Sequence, residues 1–167
     1  MIKKFKSVYR GKKKYLIDFV LIVIVFISVR QYQTQDIVTG QALAVDGILL
    51  DNTKIDWQSY QGKPLLIHFW ASWCKICRLE EDSIQAIAKD YQVLSIASWS
   101  DDTVSYMQQR GLHYPTLNDI EGKWAERYGI KAVPSSIIID KDGYISFIET
   151  GFTSETGLRL RLWWLQL

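Results

Sequence analysis

The stretch PLLIHFWASWCKICRLE, residues 64–80, decides the fold of this chain. Its apolar run at 65–71 predicts a β-strand that is buried on both faces, and the helical spacing that follows extends to about Tyr91. Cys74 and Cys77, the only cysteines of the 167 residues, lie where the strand gives way to the helix. A disulfide between them closes a very small loop and removes little chain entropy. The pair is therefore predicted to react and not to stabilise.

The remainder of the chain alternates between strand and helix patterns. Two turn pairs within 43–57 predict a small hairpin that leads into the fold. Helix-linked early strands imply parallel pairing, and the late pair of strands implies antiparallel edge strands. The predicted fold class is therefore α/β, a three-layer sandwich with a mixed sheet and an N-terminal hairpin extension. After the first strand, the predicted strands are 92–98, 114–118, 135–140 and 144–150, and the predicted helices are 101–111, 120–129 and 154–166.

The charge of the chain is unevenly distributed. Lys and Arg number 20 and Asp and Glu number 18, which gives a net charge of +2. Residues 1–30 hold eight Lys or Arg and one Asp, so the remainder is net acidic. This distribution argues against a nucleic-acid-binding surface after Arg30. An apolar content of 48% excludes a disordered chain.

The basic residues belong to an N-terminus that is predicted to enter a membrane. Seven Lys or Arg precede a segment rich in Leu, Ile, Val and Phe, whose length is close to the lower limit of about 17 residues for a spanning helix. A cleaved signal peptide is the alternative, but the nearest small-residue cleavage motif, at 42–44, lies far downstream. The predicted segments are a cytoplasmic basic segment at 1–14, a transmembrane anchor at 15–32, a tether at 33–42 and a catalytic domain at 43–167.

The positive charge before the apolar segment also predicts the orientation of the chain. Basic residues stay on the cytoplasmic side of a membrane. The expectation is therefore a single-pass protein of the bacterial inner membrane with a cytoplasmic N-terminus and a catalytic domain in the periplasm. Disulfides form and persist in that compartment.

The two cysteines are predicted to act as a nucleophile and a resolving thiol. The first turn of a helix presents unpaired N–H groups and the positive end of the helix dipole, which favour a thiolate at an exposed Cys74. Cys77, one turn later on the inward side, then attacks the mixed disulfide that Cys74 forms with a substrate. Zinc binding is an alternative, but it takes about four ligands, and the chain has two Cys and two His. Haem attachment needs a histidine where Arg78 stands.

Two separated motifs together resemble the thioredoxin superfamily. They are PLLIHFWASWCKICRLE at 64–80 and AVPSSIIIDKDG at 132–143. With its anchor and hairpin, the chain is most similar to the membrane-tethered TlpA/ResA/DsbE-like thiol–disulfide oxidoreductases, and among these to the suppressor-of-copper-sensitivity D type. The resemblance covers about residues 43–165 and implies a thioredoxin fold. It also implies that Pro134 is cis and packs against the disulfide, and that Val133 pairs with a substrate backbone.

Four further residues are candidates for the chemistry of the pair. The CxxCxxE pattern of the family implies that Glu80 tunes or deprotonates the thiols, and a solvated helix acid is the alternative. His68, in the buried strand, is predicted to accept a proton from Cys77 or to be an ordinary core residue. Lys75 adds positive charge beside the nucleophile. Trp73 is expected over the active-site surface, where a substrate binds.

Two functions follow from these residues. The first is a protein-disulfide oxidoreductase whose redox group is the Cys74–Cys77 disulfide, without cofactor or metal. Its expected partners are protein thiols or disulfides and a membrane electron-transfer protein. The second is a copper(I)-binding or copper-delivery module that uses the same CxxC, because copper(I) accepts soft thiolates. Many relatives have a proline where this chain has Asp82, which predicts an unkinked active-site helix.

Overall fold

The protein divides into two compact units, Met1–Gln35 and Asp36–Leu167. The computed structural model describes the backbone of residues 2–167 and the side chains of 15–29, 31–32 and 34–167. Each unit is described below by itself.

The first unit consists of helix α1, Ile2–Thr34. The side chains of its apolar run at 15–29 are exposed. Among the residues that the structure describes, no helix combines the length and the apolar character needed to cross a membrane. The anchor predicted at 15–32 is therefore not confirmed, and the side chains of the basic segment predicted at 1–14 lie outside the described residues.

The second unit is built on one mixed sheet of six strands. The sheet order is β1-β6-β5-β2-β3-β4. The pairs β2–β3 and β3–β4 are parallel, and the other pairs are antiparallel, which confirms the predicted mixed sheet. Of the two late strands predicted at the edge, β5 lies inside the sheet, because it pairs with β2, whereas β6 borders the sheet with only the two-residue β1 beyond it. The strands are β1 (Gly40–Gln41), β2 (Leu65–Trp70), β3 (Gln92–Ser98), β4 (Thr116–Asp119), β5 (Ser135–Ile139) and β6 (Tyr144–Thr150).

Four helices follow the strands as the sequence predicts. Gly111 ends α3 in the left-handed conformation with a φ of 65°, which glycine adopts without steric cost. Ser154 is the N-cap of α5, because its hydroxyl accepts a hydrogen bond from the Gly157 N–H at 3.2 Å. The helices are α2 (Glu81–Ile87), α3 (Thr103–Arg110), α4 (Lys123–Arg127) and α5 (Glu155–Trp164).

Two apolar layers cover the faces of the sheet, because successive side chains of a strand point to opposite faces. On one face, Phe69 packs in a cluster with Trp124 and Tyr128 around α4. On the other, Leu66 and Trp70 pack with residues of α2, α3 and α5. Burial of each large side chain contributes about 1.5–3 kcal/mol. The three-layer sandwich is therefore confirmed, and the second layer holds the cysteines.

Two local predictions need correction. The hairpin predicted at 43–57 is present but short: it consists of one bridge between Ile48 and Lys54 and the backbone hydrogen bonds around that bridge. Its Leu49 also pairs with Leu117 of β4 and is buried there. The active-site helix is not continuous. A 3-10 turn spans Cys77–Leu79, Glu80 follows with a φ of −104°, and α2 begins after it.

Candidate active site

The two cysteines form a disulfide in the turn between β2 and α2, with their Cα atoms 5.3 Å apart. Cys74 is 6% exposed and Cys77 is 2% exposed. The expectation of an exposed Cys74 is therefore wrong in degree, although Cys74 is the more accessible sulfur. The inward position predicted for Cys77 is confirmed, because it packs in the second apolar layer with Ile84 and Ile87. An incoming group reaches the disulfide from the Cys74 side.

Backbone groups surround the Cys74 sulfur. The Cys77 N–H donates a hydrogen bond to Cys74 Sγ at 3.2 Å. This donor stabilises negative charge on the sulfur. The Val133 carbonyl oxygen lies 3.6 Å from the same Sγ. The Val133–Pro134 peptide bond is cis, as the resemblance implied, and Pro134 is buried.

An aromatic rim lies beside the active-site turn and consists of Trp73, the chain neighbour of Cys74, and of Trp99 bound to it. Trp73 is 60% exposed, and its Nε1–H donates a hydrogen bond to the Trp99 carbonyl at 2.9 Å. Trp99 has a φ of 57°, an uncommon conformation for a residue other than glycine. A Cβ atom at Gly122 would overlap Trp99 Nε1, so only glycine fits beneath this ring. Trp99 is part of the rim that sequence reasoning missed. Lys75 is exposed beside Cys74, as expected.

The Glu80 carboxyl lies in the interior, so the alternative of a solvated acid is wrong. Its residue is 1% exposed. Oε1 accepts a hydrogen bond from the Thr153 N–H at 2.5 Å, and Oε2 is buried without a hydrogen-bond partner among the described residues. Burial raises the pKa of Glu80 to about 7, and the Thr153 hydrogen bond opposes that rise. The carboxyl is thus able to gain or lose a proton near neutral pH.

The ring of His68 faces this carboxyl from β2. Its Nε2 lies 4.0 Å from Glu80 Oε2, and its Nδ1 lies 3.0 Å from Ser136 Oγ. Burial lowers the pKa of His68 to about 4, so the ring is neutral at physiological pH. The structure therefore brings His68 and Glu80 together, in a contact that neither residue type nor spacing had indicated.

Glu81 is also buried and connects the active-site turn to α3. Its carboxylate accepts hydrogen bonds from Arg110 Nε at 2.9 Å and from the Tyr106 hydroxyl. Burial, and then Glu81, raise the pKa of Tyr106 to about 12. Arg78 lies over the Tyr106 ring at 5.7 Å. Sequence reasoning missed this cluster, although the spacing of Tyr106 and Arg110, four residues apart on one helix, is the signal for it.

A metal site was the main alternative for the cysteines. In the part of the chain with described side chains, no group of three or more His, Cys, Asp or Glu residues is arranged to hold a metal ion. The copper alternative rests on the two cysteines alone and stays a prediction.

A CxxC disulfide after a buried strand, with a cis proline beside it in a mixed sheet of this order, defines a thioredoxin-like protein. The particular family follows from comparison with known proteins. The chain belongs to the AhpC/TSA family, whose profile matches residues 38–148. The resemblance to the thioredoxin superfamily is thereby confirmed.

Known relatives and structures are similar to the same part of the chain. A thioredoxin-like protein of Haemophilus influenzae is 37% identical over 110 residues, which are 64% of this chain and 65% of that one. The thiol-disulfide oxidoreductase ResA of Bacillus thuringiensis is 31% identical over 103 residues, 58% of this chain and 60% of that one. The chain thus spans less than two thirds of either relative. The crystal structure of the pneumococcal exposed lipoprotein thioredoxin Etrx1 of Streptococcus pneumoniae superposes with a TM-score of 0.63 and 29% identity, over 72% of this chain and 98% of that one.

Proposed function

We propose that the protein is a thiol–disulfide oxidoreductase that exchanges its Cys74–Cys77 dithiol or disulfide with protein substrates. One observation carries the proposal: the Cys74–Cys77 disulfide lies just beneath the surface, with Cys74 as its more accessible sulfur and a buried carboxyl, Glu80, on the same turn. The relative named ResA supports it, because its name describes this reaction.

The exchange proceeds through a mixed disulfide. When the enzyme is reduced, the Cys74 thiolate attacks a substrate disulfide, a bond forms between Cys74 Sγ and one substrate sulfur, and the other substrate sulfur leaves as a thiolate. The Cys77 thiol then loses its proton and attacks Cys74 Sγ. The Cys74–Cys77 disulfide forms, the mixed disulfide breaks, and the second substrate thiolate leaves. Two electrons pass from the dithiol to the substrate, and the reverse sequence oxidises a substrate dithiol.

Glu80 is the proposed acceptor for the proton of Cys77. It follows Cys77 by one turn, and its Oε2 has no other hydrogen-bond partner among the described residues. A general base works best when its pKa lies near the working pH, and burial brings the pKa of Glu80 to about 7. Lys75 is proposed to favour the Cys74 thiolate through its positive charge.

Substrate segments are proposed to bind over the more accessible side of the disulfide, next to Cys74. Trp73 offers a large apolar surface there, and the Val133 carbonyl beside the sulfur is a hydrogen-bond acceptor for an extended backbone. Pro134 has no N–H, so it places no competing donor next to the disulfide. The partner class is therefore an extended protein segment that contains a cysteine or a disulfide.

A membrane location is part of the same proposal. The basic residues of 1–14, the apolar run within 15–32 and the net acidic remainder support an inner-membrane protein with its catalytic domain in the periplasm. A membrane protein that supplies or removes electrons is the proposed redox partner. Alkaline extraction of membranes tests the attachment, and alkaline phosphatase fused after residue 167 tests the side on which the domain lies. Release by alkali, or an inactive fusion, would contradict this location.

The central test is a Cys77→Ser variant, in which the mixed disulfide has no resolving thiol. Reduced Cys77→Ser protein mixed with insulin should accumulate a covalent adduct at Cys74, which peptide mass spectrometry locates and dithiothreitol releases. The matched control is Cys74→Ser, which retains one thiol but should form little adduct. Equal adduct yields from both variants, or none from either, would contradict the proposal.

Two further measurements define the reaction. A reduction potential of about −270 mV would identify a reductant, and one of about −120 mV would identify an oxidant. Anaerobic copper(I) titration of the reduced chain tests the alternative. Tight binding of one copper(I) ion without insulin exchange would favour the copper module over the enzyme.

A further inference from the structure

Beneath the active-site turn, a pair of polar residues crosses two central strands. His68 of β2 and Ser136 of β5 are direct cross-strand partners, so their side chains lie on the same face of the sheet. Both are buried, and the His68 Nδ1 lies 3.0 Å from Ser136 Oγ. The other ring nitrogen, Nε2, lies 4.0 Å from Glu80 Oε2. The three side chains therefore form a line from the sheet to the carboxyl.

The hydrogen-bonding needs of Ser136 determine which nitrogen carries the ring proton. Among the described residues, His68 Nδ1 is the only hydrogen-bond partner of the Ser136 hydroxyl. A buried hydroxyl hydrogen without an acceptor is destabilising. The hydroxyl therefore donates to Nδ1, which accepts through its lone pair. A neutral imidazole carries its proton on the other nitrogen, so the N–H of His68 is at Nε2 and faces Glu80.

We infer that His68 is a positioning residue for the proposed exchange reaction, in which Ser136 fixes the ring proton on Nε2 and the Nε2–H holds Glu80 Oε2 as the acceptor for the proton of Cys77. The inference rests on the proposed function and replaces the expectation that His68 itself takes a proton from Cys77. At 4.0 Å the contact is longer than a hydrogen bond. The N–H dipole nevertheless favours the carboxylate at this distance, and catalytic contacts are often longer in the resting enzyme than in the reacting complex.

The groups around Glu80 act in opposite directions on its charge. The Thr153 N–H and the His68 Nε2–H each face one carboxyl oxygen and favour the ionised form, whereas burial favours the neutral form. On the turn itself, Cys77 precedes Glu80 and the neighbouring Glu81 is bound to α3 through Tyr106 and Arg110. Beyond Ser136 in the sheet lies Glu149 of β6, which pairs with Arg161 of α5 at 2.7 Å. His68 is thus a neutral N–H donor that favours the ionised form of Glu80, against the effect of burial.

Nuclear magnetic resonance tests the inference directly on the full chain. The ¹⁵N resonances of the His68 ring in the native protein should identify Nε2 as the protonated nitrogen, and Ser136→Ala should give a mixture of both tautomers. The ¹³C resonance of the Glu80 carboxyl, assigned with a Glu80→Gln variant, reports its pKa in the reduced protein. His68→Leu should raise that pKa by at least about one unit, and Ser136→Ala by about half as much. His68→Asn, which keeps an N–H donor, should raise the pKa of Glu80 less than His68→Leu does.

The same variants are compared in the resolving step. In the mixed disulfide, Cys77 attacks Cys74 and releases the substrate. The rate of this release should rise with pH around the Glu80 pKa of about 7. The midpoint should move upward in His68→Leu, and a pKa that is higher by one unit makes release about tenfold slower at pH 6. Circular dichroism and thermal unfolding check that each variant folds. If His68→Leu does not fold, Ser136→Ala still tests the inference.

Failure of this inference is distinguishable from failure of the proposed function. If Cys77→Ser traps no substrate, the exchange reaction itself is refuted. If it traps substrate, but His68 carries its proton on Nδ1, or the pKa of Glu80 is unchanged in Ser136→Ala, then His68 is a core residue and the inference is overturned.

Discussion

Substitution of Glu80 or His68 should uncover two opposite pH dependences of stability that cancel in the native chain. Folding raises the pKa of Glu80 from 4.5 to about 7, through burial, and lowers that of His68 from 6.5 to about 4, also through burial. One pKa unit corresponds to about 1.4 kcal/mol. Each residue therefore changes the free energy of unfolding by about 3 kcal/mol across its range.

The two contributions have opposite signs. For Glu80, the folded pKa is the higher one, so its contribution is fully present below pH 4.5 and is lost as the pH rises through about 7. For His68, the folded pKa is the lower one, so its contribution is present above pH 6.5 and is lost as the pH falls through about 4. Between pH 4.5 and 6.5 the pair holds one proton in both the folded and the unfolded chain. The pair therefore adds no slope to stability in that range.

Single substitutions remove one contribution and leave the other. Glu80→Gln should become more stable by about 3 kcal/mol as the pH rises from 4.5 to 6.5, relative to the native chain, and His68→Asn should become less stable by about the same amount. Urea unfolding of the oxidised protein, followed by tryptophan fluorescence between pH 4.5 and 7.5, measures both slopes. Asp82→Asn, at the exposed acid on the same helix, is the control and should follow the native chain. The reasoning is refuted if the free energy of unfolding of both variants changes with pH in the same way as that of the native chain.

Other contacts give separate predictions. Glu81→Gln should lower the free energy of unfolding by about 2 kcal/mol, because it weakens two partly buried hydrogen bonds to α3. The exposed Asp82→Asn should change it by less than about 0.5 kcal/mol. Urea unfolding at pH 7 measures both, and equal effects would contradict the argument. Gly122→Ala should lower the free energy of unfolding more than Gly111→Ala, because both glycines have positive φ but only Gly122 lies against Trp99. Urea unfolding measures both, and a change in tryptophan emission restricted to Gly122→Ala would report the displaced ring. Equal losses of stability would contradict the contact.

Most of the sheet was predictable because its signals are local. The apolar run at 65–71 and the run at 92–98 correspond to β2 and β3 within one residue. Helical spacing also placed Cys77 on the inward side, as observed. The cis bond before Pro134 followed from family resemblance and not from the residues themselves, since few such bonds are cis in folded proteins.

The contacts of the carboxyls were not predictable from spacing. The prediction assumed one helix from the cysteines to about Tyr91, in which a solvated Glu80 was the alternative to one that acts on the thiols. A 3-10 turn has three residues per turn, so Cys77–Leu79 and the break at Glu80 rotate the residues that follow. Thr153 and Ser136, which complete the surroundings of Glu80 and His68, are distant in the chain and have no local signal for those roles.

The short strand β1 has a consequence for how copies of this protein meet. β1 pairs only with Tyr144 and Ile145, so the rest of β6 has one side without a neighbouring strand. Exposed strand edges attract other chains. Here the register shift at Ile138/Ile139 places a bulge in β6, and bulges twist an edge strand away from regular pairing. An edge interrupted in this way disfavours strand-by-strand pairing between copies, so molecules at high concentration are expected to remain separate.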